Sequence, residues 1–326
     1  AGSALAASLR GPADAAVAVE GLRLRLAEPA RLDPTILAPG PLALELRAEA
    51  LGRGGRRVDL SALRLILETR GSLDAPRADF ALRGGGLTLV GGGRVTEGAA
   101  QLHLAEARAT AGPGTVLPAL LEVFAPVPVE LAGGTLALAP LRWPAAPGDR
   151  IGLEVSDLVG TAADRTVRGL GGRLEIVVGG ARNGASSLRI RDGRLRALEL
   201  PGGTLAGATL DAEGRVPGRA AEALTDGRMP DALVLDRVAF ALASATDGLR
   251  RIEEITGDGR AQIDADGPRA TLAIRARRLS GAIPARDLTC GLELAGSSLA
   301  LEDCGLALLG GRVRVAAATL DLARRS

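Results

Sequence analysis

Pairs of adjacent glycines, each followed by a run in which aliphatic and polar residues alternate, recur along this chain and limit what it can fold into more than any other feature. The pattern stands at Gly133-Gly134-Thr135-Leu136-Ala137-Leu138, Gly171-Gly172-Arg173-Leu174-Glu175-Ile176, Gly202-Gly203-Thr204-Leu205 and Gly310-Gly311-Arg312-Val313-Arg314-Val315. A looser copy is Gly85-Gly86-Leu87-Thr88-Leu89. Glycine reaches positive φ at little cost, so the pair acts as a turn or a bulge. The alternation that follows has period two, the period of a strand with one buried face. The unit reads as a turn plus a strand, used repeatedly. Its copies are unevenly spaced, which predicts an irregular antiparallel meander rather than a solenoid of fixed period.

Strand patterns fill most of the chain. Leu22, Leu24 and Leu26 alternate with Arg23 and Arg25, and Leu42, Leu44 and Leu46 with Glu45 and Arg47. Similar runs recur to Arg312–Leu322 and predict roughly eighteen strands. Gly91-Gly92-Gly93 reads as a further turn. The clearest helix is predicted over 112–125, where Leu117, Leu120, Leu121 and Phe124 follow helical spacing and Pro126 and Pro128 end the run. It reads as a cap packed on a sheet, with a gate over a groove as the functional alternative. Ala220–Leu224 reads as a helical turn near an insertion. A meander this long cannot stay flat, because strand twist makes it curl, close or split. A rolled groove, a β-helix and two sandwiches are the outcomes. A β-helix wants a tighter period, and sandwiches want larger anchors. The predicted fold is therefore all-β: a long antiparallel meander curled into an elongated groove, with one short helix near 115–125. The expected division is 1–128, ending in the helix, and 129–326, continuing the groove.

The apolar material is unusual in kind. The chain is 47% hydrophobic, but aromatics are 1%: Phe80, Phe124, Phe240 and Trp143, with no tyrosine. Lysine is absent and arginine carries every basic charge. That pattern is the mark of a GC-rich genome, and it is compatible with an aliphatic surface suited to acyl chains. The net charge of +2 is spread without a basic block, and stacking aromatics are missing, so no nucleic-acid partner is expected. No run of apolar residues is long enough for a transmembrane helix, and the chain reads as a section of a longer protein whose anchor lies outside it.

Chemistry-bearing residues are sparse. His103, the single histidine, lies between Leu102 and Leu104 and points away from them, with Gln101 and Ala105 on its face. A Ser-His-Asp or Cys-His arrangement would have to use it, and no nucleophile stands beside it in sequence. A metal would have only His103, Cys290 and Cys304 to draw on, so no metal and no cofactor are expected. Acid pairs such as Glu253-Glu254 and Glu302-Asp303 lack the aromatics that hold sugars and read as a charged strand face. The glycine runs lack a Walker lysine and a following helix. A tight hairpin at Ala295-Gly296-Ser297-Ser298 would set Cys290 almost opposite residues 303 and 304, within reach of a disulfide and in an oxidising compartment; two free thiols packed as small apolar residues are the alternative. No catalytic residue is identified, and no enzyme is expected.

The stretches Leu153-Glu154-Val155-Ser156-Asp157-Leu158-Val159-Gly160, Gly169-Leu170-Gly171-Gly172-Arg173-Leu174 and Leu301-Glu302-Asp303-Cys304-Gly305-Leu306-Ala307-Leu308-Leu309-Gly310-Gly311-Arg312-Val313-Arg314-Val315 resemble the C-terminal part of the AsmA-like, YdbH-type proteins, over about Gly133–Ser326. The resemblance implies a periplasmic segment of a lipid conduit in a Gram-negative cell envelope. Such proteins are anchored in the inner membrane and carry phospholipids along a repeating β-groove toward the outer membrane, where a partner on that side is expected. An old label for one branch, a dicarboxylate transport domain, finds no support in these residues. On this reading the groove floor includes Leu44, Leu46, Leu174, Ile176, Leu272, Ile274, Leu292, Leu294, Val313 and Val315. The competing expectation is a structural β-solenoid scaffold or adhesin with a dry core and parallel pairing.

Overall fold

The structure, a computed structural model, describes residues 5–10, 16–26, 42–53, 56–70, 77–96, 99–124, 129–179, 184–218, 232–265, 267–281 and 283–321. Pro126, Pro128 and the helical turn expected at Ala220–Leu224 lie outside them. The described residues form twenty-one strands and one helix. The chain divides into two compact units, one of Ala1–Ala146 with Leu158–Ala163 and one of Pro147–Asp157 with Asp164–Ser326.

The first unit contains β1 (Leu5–Arg10), β2 (Ala16–Leu26), β3 (Leu42–Arg47), β4 (Ala50–Arg53), β5 (Arg56–Asp59), β6 (Arg64–Arg70), β7 (Arg77–Gly84), β8 (Leu87–Thr96), β9 (Ala99–Ala111), α1 (Val116–Phe124), β10 (Val129–Leu138) and β11 (Leu141–Trp143). All their pairings are antiparallel. β2 pairs with β4 through residues 17–20 and with β3 through residues 23–26. From β3 the ladder runs through β6, β7, β8 and β9 to β10 and β11. The predicted helix forms as α1. Its apolar stripe supplies Val116 and Val123 to a buried cluster with Val58 and Leu63. The Val116 N–H donates to the Gly85 carbonyl at 2.8 Å, which ties the helix start to the β7–β8 turn. The Arg56 guanidinium donates to the Glu122 carbonyl in the last turn, where a cation suits the free carbonyls. The helix is thus a packed cap on its own unit.

The second unit begins with the first residues of β12 (Arg150–Ala162) and continues through β13 (Arg165–Val177), β14 (Ser186–Leu200), β15 (Gly203–Val216), β16 (Leu233–Thr246), β17 (Arg251–Asp264), β18 (Gly267–Ser280), β19 (Ala285–Ala295), β20 (Ser298–Leu308) and β21 (Gly311–Asp321). From β13 on, each strand pairs antiparallel with the next. Among the described residues, β21 pairs only with β20, so this meander is open and not a closed barrel.

One structural device bends it. Asp157 (φ 48), Gly169 (φ 63), Gly207 (φ 64), Glu254 (φ 52) and Asp287 (φ 53) all take the left-handed conformation in the middle of a strand. The ladder registers put the last four in one transverse row, with Arg196, Ala243 and Arg277 at the intervening positions. A left-handed residue inside a strand interrupts the alternation, so two consecutive side chains share a face and the strand bends. Glu253-Glu254 and Arg286-Asp287 are such doublets. Because the interruption recurs in register on alternate strands, β13, β15, β17 and β19, it is a crease across the sheet. Bending at the crease curls the sheet into a trough running perpendicular to the strands.

The glycine pairs divide by role. Gly85-Gly86, Gly202-Gly203 and Gly310-Gly311 lie at turns, but Gly133-Gly134 and Gly171-Gly172 lie inside β10 and β13. There Gly172 (φ 143) marks a bulge in the ladder with β14, and Gly134 (φ 113) takes a positive φ at the start of the ladder with β9. The turn expected at Gly91-Gly92-Gly93 does not form, and these residues are inside β8 with Gly91 and Gly92 buried. The reason is packing. A Cβ on Gly91 would lie 2.9 Å from the Phe80 ring, and one on Gly92 would lie 2.5 Å from the Asp79 carboxylate.

Candidate functional site

Antiparallel pairing sets residues of successive strands side by side, so the character of a face can be followed from strand to strand. In the second unit one row reads Val167, Leu198, Leu205, Ala245, Ile252, Leu279, Ala285, Leu308 across eight strands. On the other side of the crease a row reads Leu195, Ala208, Leu242, Ile255, Ala276, Leu288. Further along lies Leu210, Phe240, Gly257, Ile274, Cys290, where the Phe240 ring fills the space of the missing Gly257 side chain. Two rows then cross nine strands each. One is Leu174, Ile190, Ala212, Val238, Gly259, Leu272, Leu292, Leu301, Ala318; the other is Ile176, Leu188, Gly214, Leu235, Ala261, Ala270, Leu294, Leu299, Leu320. No charged residue interrupts any of these rows.

Burial on this face is graded. Ile176, Leu188 and Val216 form a buried cluster, joined by the partly buried Ile151, Leu174, Ile190, Leu233 and Leu235. Leu272, Ile274, Leu292 and Leu294 are only half-buried, and Leu320 is 40% exposed. Among the described residues the strands of this unit form one continuous antiparallel ladder from β13 to β21. The face is an aliphatic surface that remains accessible.

The opposite face carries charge. Glu175, Arg189, Glu213 and Arg237 form one ladder. At the crease, Glu254 meets Arg277 at 2.9 Å and Glu253 meets Arg278 at 3.3 Å. The hydrogen bond to Glu254, with Asp287 nearby, holds the Arg277 guanidinium above its ordinary range. Glu199 does the same for Arg168. These exposed pairs are individually weak. Together they keep the outer face in water and fix which face is the trough.

Of the residues expected on a groove floor, Leu174, Ile176, Leu272, Ile274, Leu292 and Leu294 share this apolar face. Val313 and Val315 pair with Leu306 and Cys304 on the same face but sit on the edge strand, 41% and 40% exposed. Leu44 and Leu46 belong to the first unit. There the rows are Leu26, Leu44, Leu67, Phe80, Gly91, Leu104, Leu141 and Leu24, Leu46, Leu65, Leu82, Leu89, Ala107, Leu138. Each unit thus has its own apolar face. Cys290 and Cys304 form a disulfide between β19 and β20, with Cα atoms 4.1 Å apart. It crosses the irregularity in that ladder where Thr289 and Gly291 fall out of step.

His103 is exposed, on the polar face of β9 as its alternation requires. The register adds what the sequence hides, since Glu68, Asp79, Gly92 and His103 lie side by side on β6 to β9. Glu68, Asp79 and His103 border a shallow depression of about 290 Å³. Its lining holds no serine, threonine or cysteine, so the Asp79–His103 pair has no nucleophile to activate. Among the described residues no three His, Cys, Asp or Glu side chains are grouped to hold a metal ion, and no helix is long and apolar enough to cross a membrane.

Comparison with protein-family models, with curated proteins and with solved structures finds no match.

Proposed function

We propose that this chain is a non-enzymatic segment of a lipid conduit, which holds the acyl chains of phospholipids against its aliphatic trough while their headgroups remain in water. The observation that carries this reading is the set of uninterrupted apolar rows across up to nine strands of the second unit. Each methylene removed from water contributes about 0.8 kcal/mol, and a surface of Leu, Ile, Val and Ala offers this at nearly every position along the trough. No deep pocket is needed, because a lipid that must slide requires many similar sites rather than one tight one. The resemblance to AsmA-like, YdbH-type proteins points the same way and adds the setting: a periplasmic section of a longer, inner-membrane-anchored protein passing phospholipids to the outer membrane. The disulfide fits an oxidising compartment. Antiparallel pairing throughout is not what a parallel-coil scaffold would have.

The reading is tested with a photo-crosslinking amino acid placed singly at Leu272, Leu292 and Leu294 on the apolar face, and at Thr271 and Glu293 on the charged face. Irradiation in cells followed by mass analysis should give phospholipid adducts at the first three positions and none at the last two. Equal labelling of both faces, or none on either, overturns it.

A further inference from the structure

The hairpin tips of the second unit differ between its two edges. On one edge lie the turns after β12, β14, β16, β18 and β20. The last three of these turns carry Leu249, 92% exposed, Ile283, 62% exposed, and Leu309, 86% exposed. The described tips of the opposite edge include Pro147-Gly148, Ala265, Gly267 and Gly296-Ser297, and the exposed aliphatics near that edge, Ile263 at 53% and Leu320 at 40%, lie within strands and not at an apex. A nearly bare leucine at a loop apex does nothing for the fold. Consecutive hairpins are two strands apart, so the three apices stand about 10 Å from one another along the edge.

Cations accompany them. Arg250 follows Leu249, Arg286 follows Ile283 by three residues, and Arg312 follows Leu309 by three. All three are exposed, and among the described residues no carboxylate pairs with any of them. The Arg250 side chain lies toward the neighbouring tip, 3.5 Å from where a Gly281 side chain would begin. Arg278, Arg286, Ala307 and Arg312 form one transverse row just behind the tips. Arg286 directly faces Arg278, whose guanidinium meets Glu253 at 3.3 Å on the next strand, so the row holds three arginines to one carboxylate. The acids on this edge are already engaged: Asp247 accepts the Arg250 backbone N–H at 2.8 Å within its own turn, and Glu253 is shared between Arg251 and Arg278.

We propose that these three hairpin tips are a membrane-docking edge, with Leu249, Ile283 and Leu309 entering the interfacial layer of an anionic phospholipid surface and Arg250, Arg286 and Arg312 meeting its headgroup phosphates. Exposed aliphatic apices backed by arginine are the combination such a surface binds, by buried apolar area and by attraction to anionic lipid. The inference rests on the tips and not on what fills the trough.

The test is flotation of the full chain with vesicles of phosphatidylethanolamine and phosphatidylglycerol, with phosphatidylcholine vesicles beside them. The chain should float with the anionic vesicles far more than with phosphatidylcholine, and less as salt rises. A variant with Leu249→Asp, Ile283→Asp and Leu309→Asp, its strand content checked by circular dichroism, should bind at least ~10-fold more weakly. Arg250→Glu, Arg286→Glu and Arg312→Glu together should abolish the preference for anionic vesicles. The trough variant Leu292→Asp should keep vesicle binding even where it loses trough lipid, so a failure of docking is distinguishable from a failure of the conduit reading. Absence of flotation, or flotation indifferent to the tip substitutions, overturns the proposal. So does a tip variant that changes the oligomeric state in light scattering but not vesicle binding, which would make a second copy the occupant.

Discussion

Replacing Gly207 by alanine tests the crease that curls the second unit. Gly207 has φ +64, and a Cβ there would lie 2.7 Å from the Ala243 Cβ. An L-residue in this conformation costs about 1–2 kcal/mol, and relieving the overlap costs about a further 1 kcal/mol. Alanine also reduces the freedom of the unfolded chain, which returns about 0.4–1 kcal/mol. The net expectation is a loss of about 2 kcal/mol, a fall in Tm of about 4–8 °C for a unit of this size. Gly202, at the tip of the same hairpin, is the control. It has no positive φ, and its Cβ would meet nothing within 4 Å, so Gly202→Ala should stabilise by about 0.4–1 kcal/mol. The two substitutions are chemically identical and should have opposite signs in urea or thermal unfolding. Gly207→Asn should recover part of the loss, because asparagine tolerates this conformation. If Gly207→Ala proves neutral or stabilising, the strand does not turn left-handed there and the crease is wrong.

Other outcomes follow from single features. Reducing the Cys290–Cys304 disulfide, which closes a sequence separation of 14, should cost about 3 kcal/mol, seen as a lower urea midpoint with dithiothreitol; no shift would mean the bond is absent in solution. In the first unit, hydrogen bonds from Arg47 and then Arg64 hold the Glu45 carboxyl below its ordinary value. A depressed carboxyl favours folding above its unfolded pKa and loses that contribution as pH falls through the folded value. The stability gap between the native chain and Glu45→Gln should therefore be present at neutral pH and close on acidification, and a gap independent of pH would contradict it. His103→Ala should change stability by no more than ~0.5 kcal/mol and leave any lipid load as it was; a loss of either would give the depression around Asp79 a role not assigned to it above.

The alternation that identifies the strands was legible because a half-buried strand repeats every two residues. The aliphatic residues Leu272, Ile274, Leu292 and Leu294 could be assigned to one face for the same reason. How strands line up is a different matter. The rows depend on registers set by turn lengths and bulges, which no single strand encodes. The crease was hidden because Asp157, Glu254 and Asp287 look like ordinary strand residues. Its trace is the pair of adjacent polar residues that interrupts the pattern, as in Ile252-Glu253-Glu254-Ile255, which reads equally well as a charged face. Gly91-Gly92-Gly93 looked like a turn because glycine serves two ends; here it makes room for Phe80, Asp79 and His103. The exposed Leu249, Ile283 and Leu309 are invisible to periodicity, since a leucine at an apex belongs to no strand face.

The most direct measurement of the central claim is native mass spectrometry of the purified chain, followed by lipid extraction. The account predicts bound phospholipid that is released on unfolding and depleted in Leu292→Asp. A stable, monodisperse chain of lipid-free mass, unchanged by that substitution, would mean that the leucines of the trough pack only against one another, and would contradict it.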